Sequence, residues 1–324
     1  MATFQTKRIS SRSVKVDVAT AKELLVAHKV RPNRHLGELC WAVVALILLG
    51  LLAFWVAGNP AFEWDVFAEY FGQGRILEGL WNTLWITAVV VAISVVLGLG
   101  LAAARLSRLP VLVAVAWGYV WVFRSVPVLV QLLLWFNIGY FIPAFTLLLP
   151  GGLQIAINTN DIVTATGAAI LGLSLHGIAL AGEIIRGGIL GVPIGQTEAA
   201  HVLGLSDGYT LRRIIFPQAL RSITPALANM FIEQLKGTSI VSVLAVKDLL
   251  YSAQEVYATN YKVVPLLMVA TIWYVIITSV LSLGQYVLER RLSRSSGGPT
   301  APRGIRGLLN GPTRVHNEEV RLGI

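Results

Sequence analysis

The sequence predicts an all-α integral membrane protein with six transmembrane helices. Three observations support this prediction: the composition, six long apolar runs and the distribution of basic residues. The chain has 324 residues, of which 55% are hydrophobic and 13% are charged, and its mean hydropathy is +0.70. Soluble domains usually carry about a quarter of charged residues. The composition therefore excludes an ordinary soluble fold.

Six stretches are apolar over the length that a membrane-spanning helix requires. An α-helix rises about 1.5 Å per residue, so about 20 residues cross a hydrocarbon core of roughly 30 Å. The first run follows a basic segment that is too long for a signal peptide, and no small-residue cleavage pattern comes after it, so we expect an uncleaved span there. The expected spans are approximately residues 39–57, 81–104, 111–142, 162–185, 226–246 and 264–287.

The third run is longer than one straight crossing and contains Arg124 and Pro127. Proline lacks the N–H group that an α-helix needs, so it breaks or kinks the helix. We expect a kink at this point. Neighbouring protein, rather than lipid, is expected to satisfy the backbone groups that the kink leaves free.

The basic residues predict the orientation of the chain. Short cytoplasmic loops of membrane proteins are enriched in Lys and Arg. If the amino terminus is cytoplasmic, the inner segments hold 21 of the 26 Lys and Arg residues. Six spans return the chain to its starting side, so both termini and the loop at about 186–221 are expected in the cytoplasm. The other five basic residues are Arg75, Arg124, Lys236, Lys247 and Lys262.

The two ends of the chain are polar and basic. Residues 1–38 form an expected amino-terminal tail, and residues 288–324, rich in Ser, Gly, Pro and Arg, form an expected flexible carboxyl-terminal tail near anionic lipid. Cys40 is the single cysteine of the chain, which excludes an intramolecular disulfide, and it lies inside the first apolar run. The five histidines are scattered along the chain, so we expect no metal site.

A polar stretch between the fourth and fifth runs has the signals of two short helices. Residues Glu198 to Leu203 suit a helix, and Gly204 suits a left-handed cap at its end. Ser206 offers an N-cap oxygen to a second helix, whose apolar positions continue until Pro217 interrupts the pattern. The expected result is a compact helix pair.

Three interpretations of this helix pair compete. Its Gly turn and basic second helix resemble a DNA-reading helix-turn-helix, but only a few residues separate it from the bilayer, so it cannot reach a DNA groove and we expect no nucleic-acid partner. A plain connecting loop explains the polarity but not two capped helices. The remaining interpretation is a docking element for a cytoplasmic partner.

The same stretch resembles the EAA loop of ABC importer permeases. The pattern is Glu-Ala-Ala, three residues, Gly, and about nine further residues to an apolar-x-x-Pro ending, and the chain reads "EAAHVLGLSDGYTLRRIIFPQAL" from Glu198. The phrases "FRSVPVLVQL" from Phe123 and "EIIRGGILGVPIGQTEAA" from Glu183 are similar to the polar amino-acid subfamily. The resemblance implies that the residues coupling transport to the ATPase are Glu198, Ala199, Ala200, Gly204 and Leu205.

The resemblance also implies an architecture and a set of partners. It implies an ABC type I importer permease fold in the plasma membrane, with the permease domain at 77–287 and an additional first helix at 39–57. The implied partners are a second permease subunit, identical or different, two ATP-binding subunits, and an extracytoplasmic binding protein that delivers a polar amino acid. Membrane lipid surrounds the assembly.

No catalytic activity is expected of this chain. The sequence contains no phosphate-cradling Gly-x-x-x-x-Gly-Lys-[Ser/Thr] loop, so ATP and Mg²⁺ are expected on the partner subunit and no cofactor on this one. A function of another class is a membrane receptor or scaffold whose helix pair docks a cytoplasmic partner without transport. ATP-dependent uptake by the assembled complex distinguishes the two functions.

Polar and ionisable side chains inside the expected spans are candidates for the transport pathway or its gate, because they are costly in lipid. Glu183 with Arg186, and Glu233 with Lys236, lie three residues apart, so each couple shares a helix face and is either a structural ion pair or part of the pathway. Arg124 has no acidic neighbour within one turn and requires a partner from another helix, a lipid phosphate or the pathway. The candidates are Arg124, Gln131, His176, Glu183, Arg186, Glu233 and Lys236.

Overall fold

The structure is a computed structural model that describes residues 36–148 and 154–294. The expected tails at 1–38 and 288–324 therefore lie mostly outside the described residues. The chain divides into two units, Met1–Asn59 and Pro60–Ile324. In the first unit, helix α1 runs from Leu36 to Gly58 and is apolar on every side, which is typical of a membrane span.

The second unit is a helical bundle with one small sheet. After a 3₁₀ turn at Pro60–Phe62, its elements are α2 (Trp64–Phe71), α3 (Gly74–Arg105), α4 (Pro110–Ser125), α5 (Val128–Phe136), β1 (Ala144–Leu148), β2 (Gln154–Asn158), α6 (Thr159–Ile162), α7 (Ala165–Leu190), α8 (Ile194–Val202), α9 (Asp207–Thr210), α10 (Phe216–Gly237), α11 (Leu249–Asn260) and α12 (Val263–Arg294). A π-helical turn at Leu211–Ile215 joins α9 to α10, and a 3₁₀ helix at Thr238–Leu244 follows α10.

Four of the described helices are long and apolar enough to cross a membrane: α1, α3, α7 and α12. The consecutive helices α4 and α5 make a fifth crossing if they are counted as one span, and they are bent by 100°. Pro127 lies at the break between them, so the predicted kink is confirmed.

The structure does not show the predicted six apolar spans. In place of a span at 226–246, the chain forms α10 at Phe216–Gly237, which carries charged residues along one side and is too polar to qualify by hydropathy. Pro217 does not separate two helices. It lies in the first turn of α10, directly after the π-helical turn at Leu211–Ile215, and the first turn of a helix tolerates a missing N–H group.

The predicted all-α class is confirmed, with one small addition: β1 and β2 form an antiparallel hairpin that pairs Ala144 with Asn158 and Leu148 with Gln154. Both strands are five residues long, far shorter than any expected span. Long apolar runs dominated the sequence prediction, and such short alternating segments produce no comparable signal.

Helices α3 and α7 pack closely against each other because glycines at their contact allow close approach. A Cβ atom added at Gly177 would lie 2.2 Å from the Ser94 hydroxyl oxygen, and one at Gly182 would lie 2.9 Å from the Leu101 side chain. Small residues have this role in membrane helix packing generally. The contact fixes the position of α7, which carries both His176 and Glu183.

A buried acidic residue caps the amino-terminal end of α11. Asp248 precedes α11, is fully buried, and accepts a hydrogen bond of 2.8 Å from the Tyr251 backbone N–H. The Tyr274 hydroxyl donates to its second oxygen at 3.3 Å. Burial raises the pKa of the Asp248 carboxyl to about 6, although these hydrogen bonds oppose the shift.

Candidate functional site

The helix pair is built as its capping signals predict. Gly204 adopts a left-handed conformation with φ of +71°, a conformation that costs glycine little. The Gly204 N–H donates to the His201 carbonyl at 2.9 Å, and the Leu205 N–H donates to the Ala200 carbonyl at 3.0 Å. The turn after α8 therefore satisfies the last carbonyl groups of that helix.

The second helix begins at the predicted cap. The Ser206 hydroxyl accepts a hydrogen bond of 3.4 Å from the Tyr209 N–H. Asp207 accepts from His201 at 3.0 Å and from Arg108, in the turn between α3 and α4, at 2.6 Å. These contacts tie the helix pair internally and to the neighbouring turn.

The five residues implied in coupling divide into a buried anchor and an exposed surface. Ala200 is buried, Leu205 is half-buried, and Glu198, Ala199 and Gly204 are exposed. Three large apolar side chains around them are also highly exposed: Ile194 at 71%, Val202 at 88% and Leu203 at 76%. An apolar patch with a charged residue beside it is typical of a protein contact surface.

A second cluster of charges centres on Glu183 of α7. Its two carboxylate oxygens contact Arg105 of α3 at 3.3 Å and Arg186 at 3.7 Å. The predicted contact between Glu183 and Arg186 is thus present. The sequence does not indicate the participation of Arg105, because that residue is 78 positions from Glu183 and lies at the end of an apolar run.

Glu183 and Arg105 line a cavity of about 360 Å³ between α3, α4 and α7. The indole rings of Trp117 and Trp121 stack along one wall with 6.3 Å between their centroids. Arg124 lines the same cavity and is exposed, and its guanidinium makes no ion pair or hydrogen bond within the described part of the chain. The full lining is Arg105, Trp117, Val120, Trp121, Arg124, Ser125 and Glu183.

Gln131 and His176 contact the same backbone carbonyl, at the bend next to this cavity. The Gln131 side-chain amide donates to the carbonyl of Phe123 at 2.9 Å and to that of Val126 at 2.8 Å. The ring nitrogen Nδ1 of His176 contacts the same Phe123 carbonyl at 2.9 Å, so it is the protonated nitrogen. Both candidates are therefore bound to the backbone at the bend.

Of the two alternatives left open for Glu233 and Lys236, the structure does not show the ion pair. Both side chains are exposed on α10 and form no ion pair with each other. The Asn229 amide instead donates to Glu233 at 3.5 Å. Exposed side chains gain little from pairing, since the entropy of holding two long side chains offsets the Coulomb attraction.

Membrane-length helices, a capped helix pair with an exposed apolar patch and a charged cavity are the features expected of a membrane transport permease. Residues 94–294 match the family described as binding-protein-dependent transport system inner membrane component. The chain belongs to that family.

Named relatives support the same class. The chain is 37% identical over 272 residues to the arginine transport system permease protein ArgU of Corynebacterium glutamicum, a match that covers 83% of this chain and 84% of ArgU. It is 37% identical over 237 residues to the L-cystine transport system permease protein TcyB of Bacillus subtilis, covering 73% of this chain and 94% of TcyB.

Solved structures show the same fold. A crystal structure of an amino acid ABC transporter with histidines matches with a TM-score of 0.59 and 34% identity, covering 67% of this chain and 94% of the other. An inward-facing MetNI methionine ABC transporter matches with a TM-score of 0.55 and 18% identity, covering 67% of this chain and 96% of the other, which shows the fold alone.

These findings confirm the resemblance to ABC importer permeases and the ABC importer permease fold. The chain is the non-catalytic inner membrane component of a transport system. Membership in this family implies a binding protein and an ATPase on a partner subunit.

Proposed function

We propose that this chain is the permease subunit of an ABC importer that moves a polar amino acid inward by alternating access. The observation that carries the substrate class is the charged cavity beside Arg124. The names of the relatives support it, since arginine and cystine share an α-carboxylate and an α-amino group.

The charges of the cavity suggest how such a substrate is held. Glu183 already contacts two guanidinium groups, so its charge is compensated. Arg124 is uncompensated within the described residues, and its planar guanidinium matches a carboxylate with two parallel hydrogen bonds. In this proposal Arg124 binds the α-carboxylate, and the faces of Trp117 and Trp121 attract the ammonium group.

The helix pair is proposed as the docking element for the ATP-binding subunit. Glu198 presents a negative charge next to the exposed apolar side chains of Val202 and Leu203. A basic and apolar groove on the partner would bury this patch. Movement of the docked helix pair would then reach the cavity through α10 and through the Arg108 contact with Asp207.

The proposed topology has six crossings with both termini in the cytoplasm. The crossing that hydropathy does not identify would consist of α10 and the 3₁₀ helix at Thr238–Leu244. Its polar side would face a second permease subunit rather than lipid, which removes the cost of its charges. Glu233 and Lys236, both exposed on α10, remain candidates for lining the pathway with that second subunit.

Equilibrium binding tests the substrate class. The complex of this chain with its ATP-binding subunit would be placed in lipid nanodiscs and titrated with radiolabelled L-arginine, L-histidine, L-cystine and L-glutamine. We expect one of them to bind, with a loss of about tenfold or more for Arg124→Ala, as for removal of a charged hydrogen bond. Arg124→Lys should recover little, because an ammonium group cannot replace the planar fork. Unchanged affinity in Arg124→Ala would reject the proposed contact.

A further inference from the structure

Pro127 creates a specific deficit in the backbone at the bend between α4 and α5. In a continuous helix, the Phe123 carbonyl would accept a hydrogen bond from the N–H group four residues later. That residue is Pro127, which has no N–H group. The Phe123 carbonyl is therefore left without its helical partner at membrane depth, where an unsatisfied carbonyl costs several kcal/mol.

Two side chains replace the missing donor. The Gln131 amide comes from α5, beyond the bend, and reaches back to both the Phe123 and the Val126 carbonyls. The His176 ring comes from α7 and donates to the same Phe123 oxygen. Gln131 is only 4% exposed, and its own carbonyl oxygen is buried with no partner among the described residues. That unfilled acceptor indicates that the residue serves through its N–H groups.

Arg124 lies between Phe123 and Val126, whose carbonyls accept the hydrogen bonds from Gln131. Phe123 and Val126 line an apolar cavity of about 310 Å³, whereas Arg124 and Ser125 line the charged cavity. The last turn of α4 thus separates the two cavities. Any rotation of this turn would exchange apolar and charged side chains between them.

We propose that Gln131 and His176 are positioning residues that hold the last turn of α4 and thereby direct Arg124 into the charged cavity. Neither residue lines that cavity. We call Gln131 and His176 together the bend clamp. The role that this inference gives to Arg124 rests on the proposed function. It reassigns both residues from the transport pathway to the support behind it.

The first test measures the motion of the turn without reference to any substrate. A nitroxide label would be attached to Arg124→Cys in a Cys40→Ser background, in the assembled complex in nanodiscs. Gln131→Leu and His176→Leu are expected to add a mobile spectral component, and His176→Asn, which keeps an N–H group near the position of Nδ1, should restore the wild-type spectrum. Asn137→Leu is the matched control, because Asn137 is another amide near the end of α5 that donates only to its own helix. Identical spectra in all variants would overturn the proposal.

The second test asks whether the clamp acts through Arg124. Gln131→Leu should weaken amino-acid binding by about tenfold when Arg124 is present and have little effect in Arg124→Ala, since residues that act as a unit are non-additive. An equal loss in both backgrounds would show that Gln131 contacts the substrate itself and would overturn the proposal. If Arg124→Ala alone leaves binding unchanged, the proposed contact between Arg124 and the substrate is wrong. The spectrum of the nitroxide label then still tests whether the bend clamp holds the last turn of α4.

Discussion

At the scale of single residues, the backbone conformation of Gly204 is the feature on which the docking element depends. Its φ of +71° reverses the chain between α8 and α9, and a Cβ atom at this position would meet no atom within 4 Å. A substitution there therefore acts through backbone strain and not through a clash. Left-handed conformation costs a residue with a Cβ atom about 1–2 kcal/mol, and a β-branched residue more.

Gly204→Val is therefore expected to abolish stimulation of the ATPase while leaving membrane insertion intact, because the two helices lose their relative orientation. ATP hydrolysis by the assembled complex measures this effect. The control is Gly208→Ala, at an exposed glycine with ordinary φ and no neighbour within 4 Å. Wild-type stimulation in Gly204→Val would show that the turn geometry is not required for docking.

We expect Asp248 to make the stability of the protein depend on pH. Its pKa is raised from 3.8 to about 6 in the folded chain, so the folded state binds this proton more tightly than the unfolded state does. The contribution to stability is complete below the unfolded value and is lost as the pH rises through about 6. At about 1.4 kcal/mol per pKa unit, the loss is about 3 kcal/mol at most.

Asp248→Asn should remove most of this dependence, because asparagine keeps the cap on α11 but carries no charge. Thermal unfolding in detergent between pH 4 and pH 8 measures the difference. The variant should gain stability relative to the wild type as the pH rises, and the two should converge at the acid end. A parallel pH dependence in both proteins would assign the effect to other groups.

At the scale of elements, the contact between α3 and α7 holds the charged cavity together, because these helices carry Arg105 and Glu183. The contact depends on the absence of side chains at its glycines. Gly177 has no room for a methyl group beside Ser94, whereas Gly187, ten residues further along the same helix, has no neighbour within 4 Å. The two glycines make a matched comparison.

Gly177→Ala should destabilise the protein by about 1–3 kcal/mol through overpacking. Gly187→Ala should be neutral or stabilise it by about 0.5–1 kcal/mol, because alanine is the better helix former. Melting temperatures in one detergent compare the two variants directly. Equal melting temperatures would show that α3 separates from α7 without cost.

The reach of sequence reasoning differs between elements for physical reasons. The caps at Gly204 and Ser206 were predictable because each depends on residues within one turn. The pairing of Arg105 with Glu183, and the meeting of Gln131 and His176 on one carbonyl, depend on helix packing that no local pattern encodes. The bounds of the span expected at 226–246 differ from those of the helix, because apolar length defined the expected span, whereas α10 begins at Phe216 and has a polar side.

At the scale of the whole molecule, the distribution of basic residues predicts which loops share a side of the membrane. Glu255 lies in α11, and Gly208 lies in the docking element, and both are exposed. In a Cys40→Ser background, a cysteine at Glu255 should react with an impermeant thiol reagent on intact cells. A cysteine at Gly208 should react only after permeabilisation. The reverse pattern would overturn the proposed orientation.

The central claim is that this chain moves an amino acid across the membrane when a docked partner hydrolyses ATP. The most direct test is uptake of radiolabelled L-arginine, L-histidine, L-cystine and L-glutamine into proteoliposomes that contain the complex, with ATP on the side of the ATP-binding subunit and binding protein on the other. We expect ATP-dependent uptake of at least one amino acid, and its loss in Glu198→Lys, where the exposed charge of the docking surface is reversed. A complex that assembles and hydrolyses ATP but takes up none of them would contradict the account and favour a receptor or scaffold.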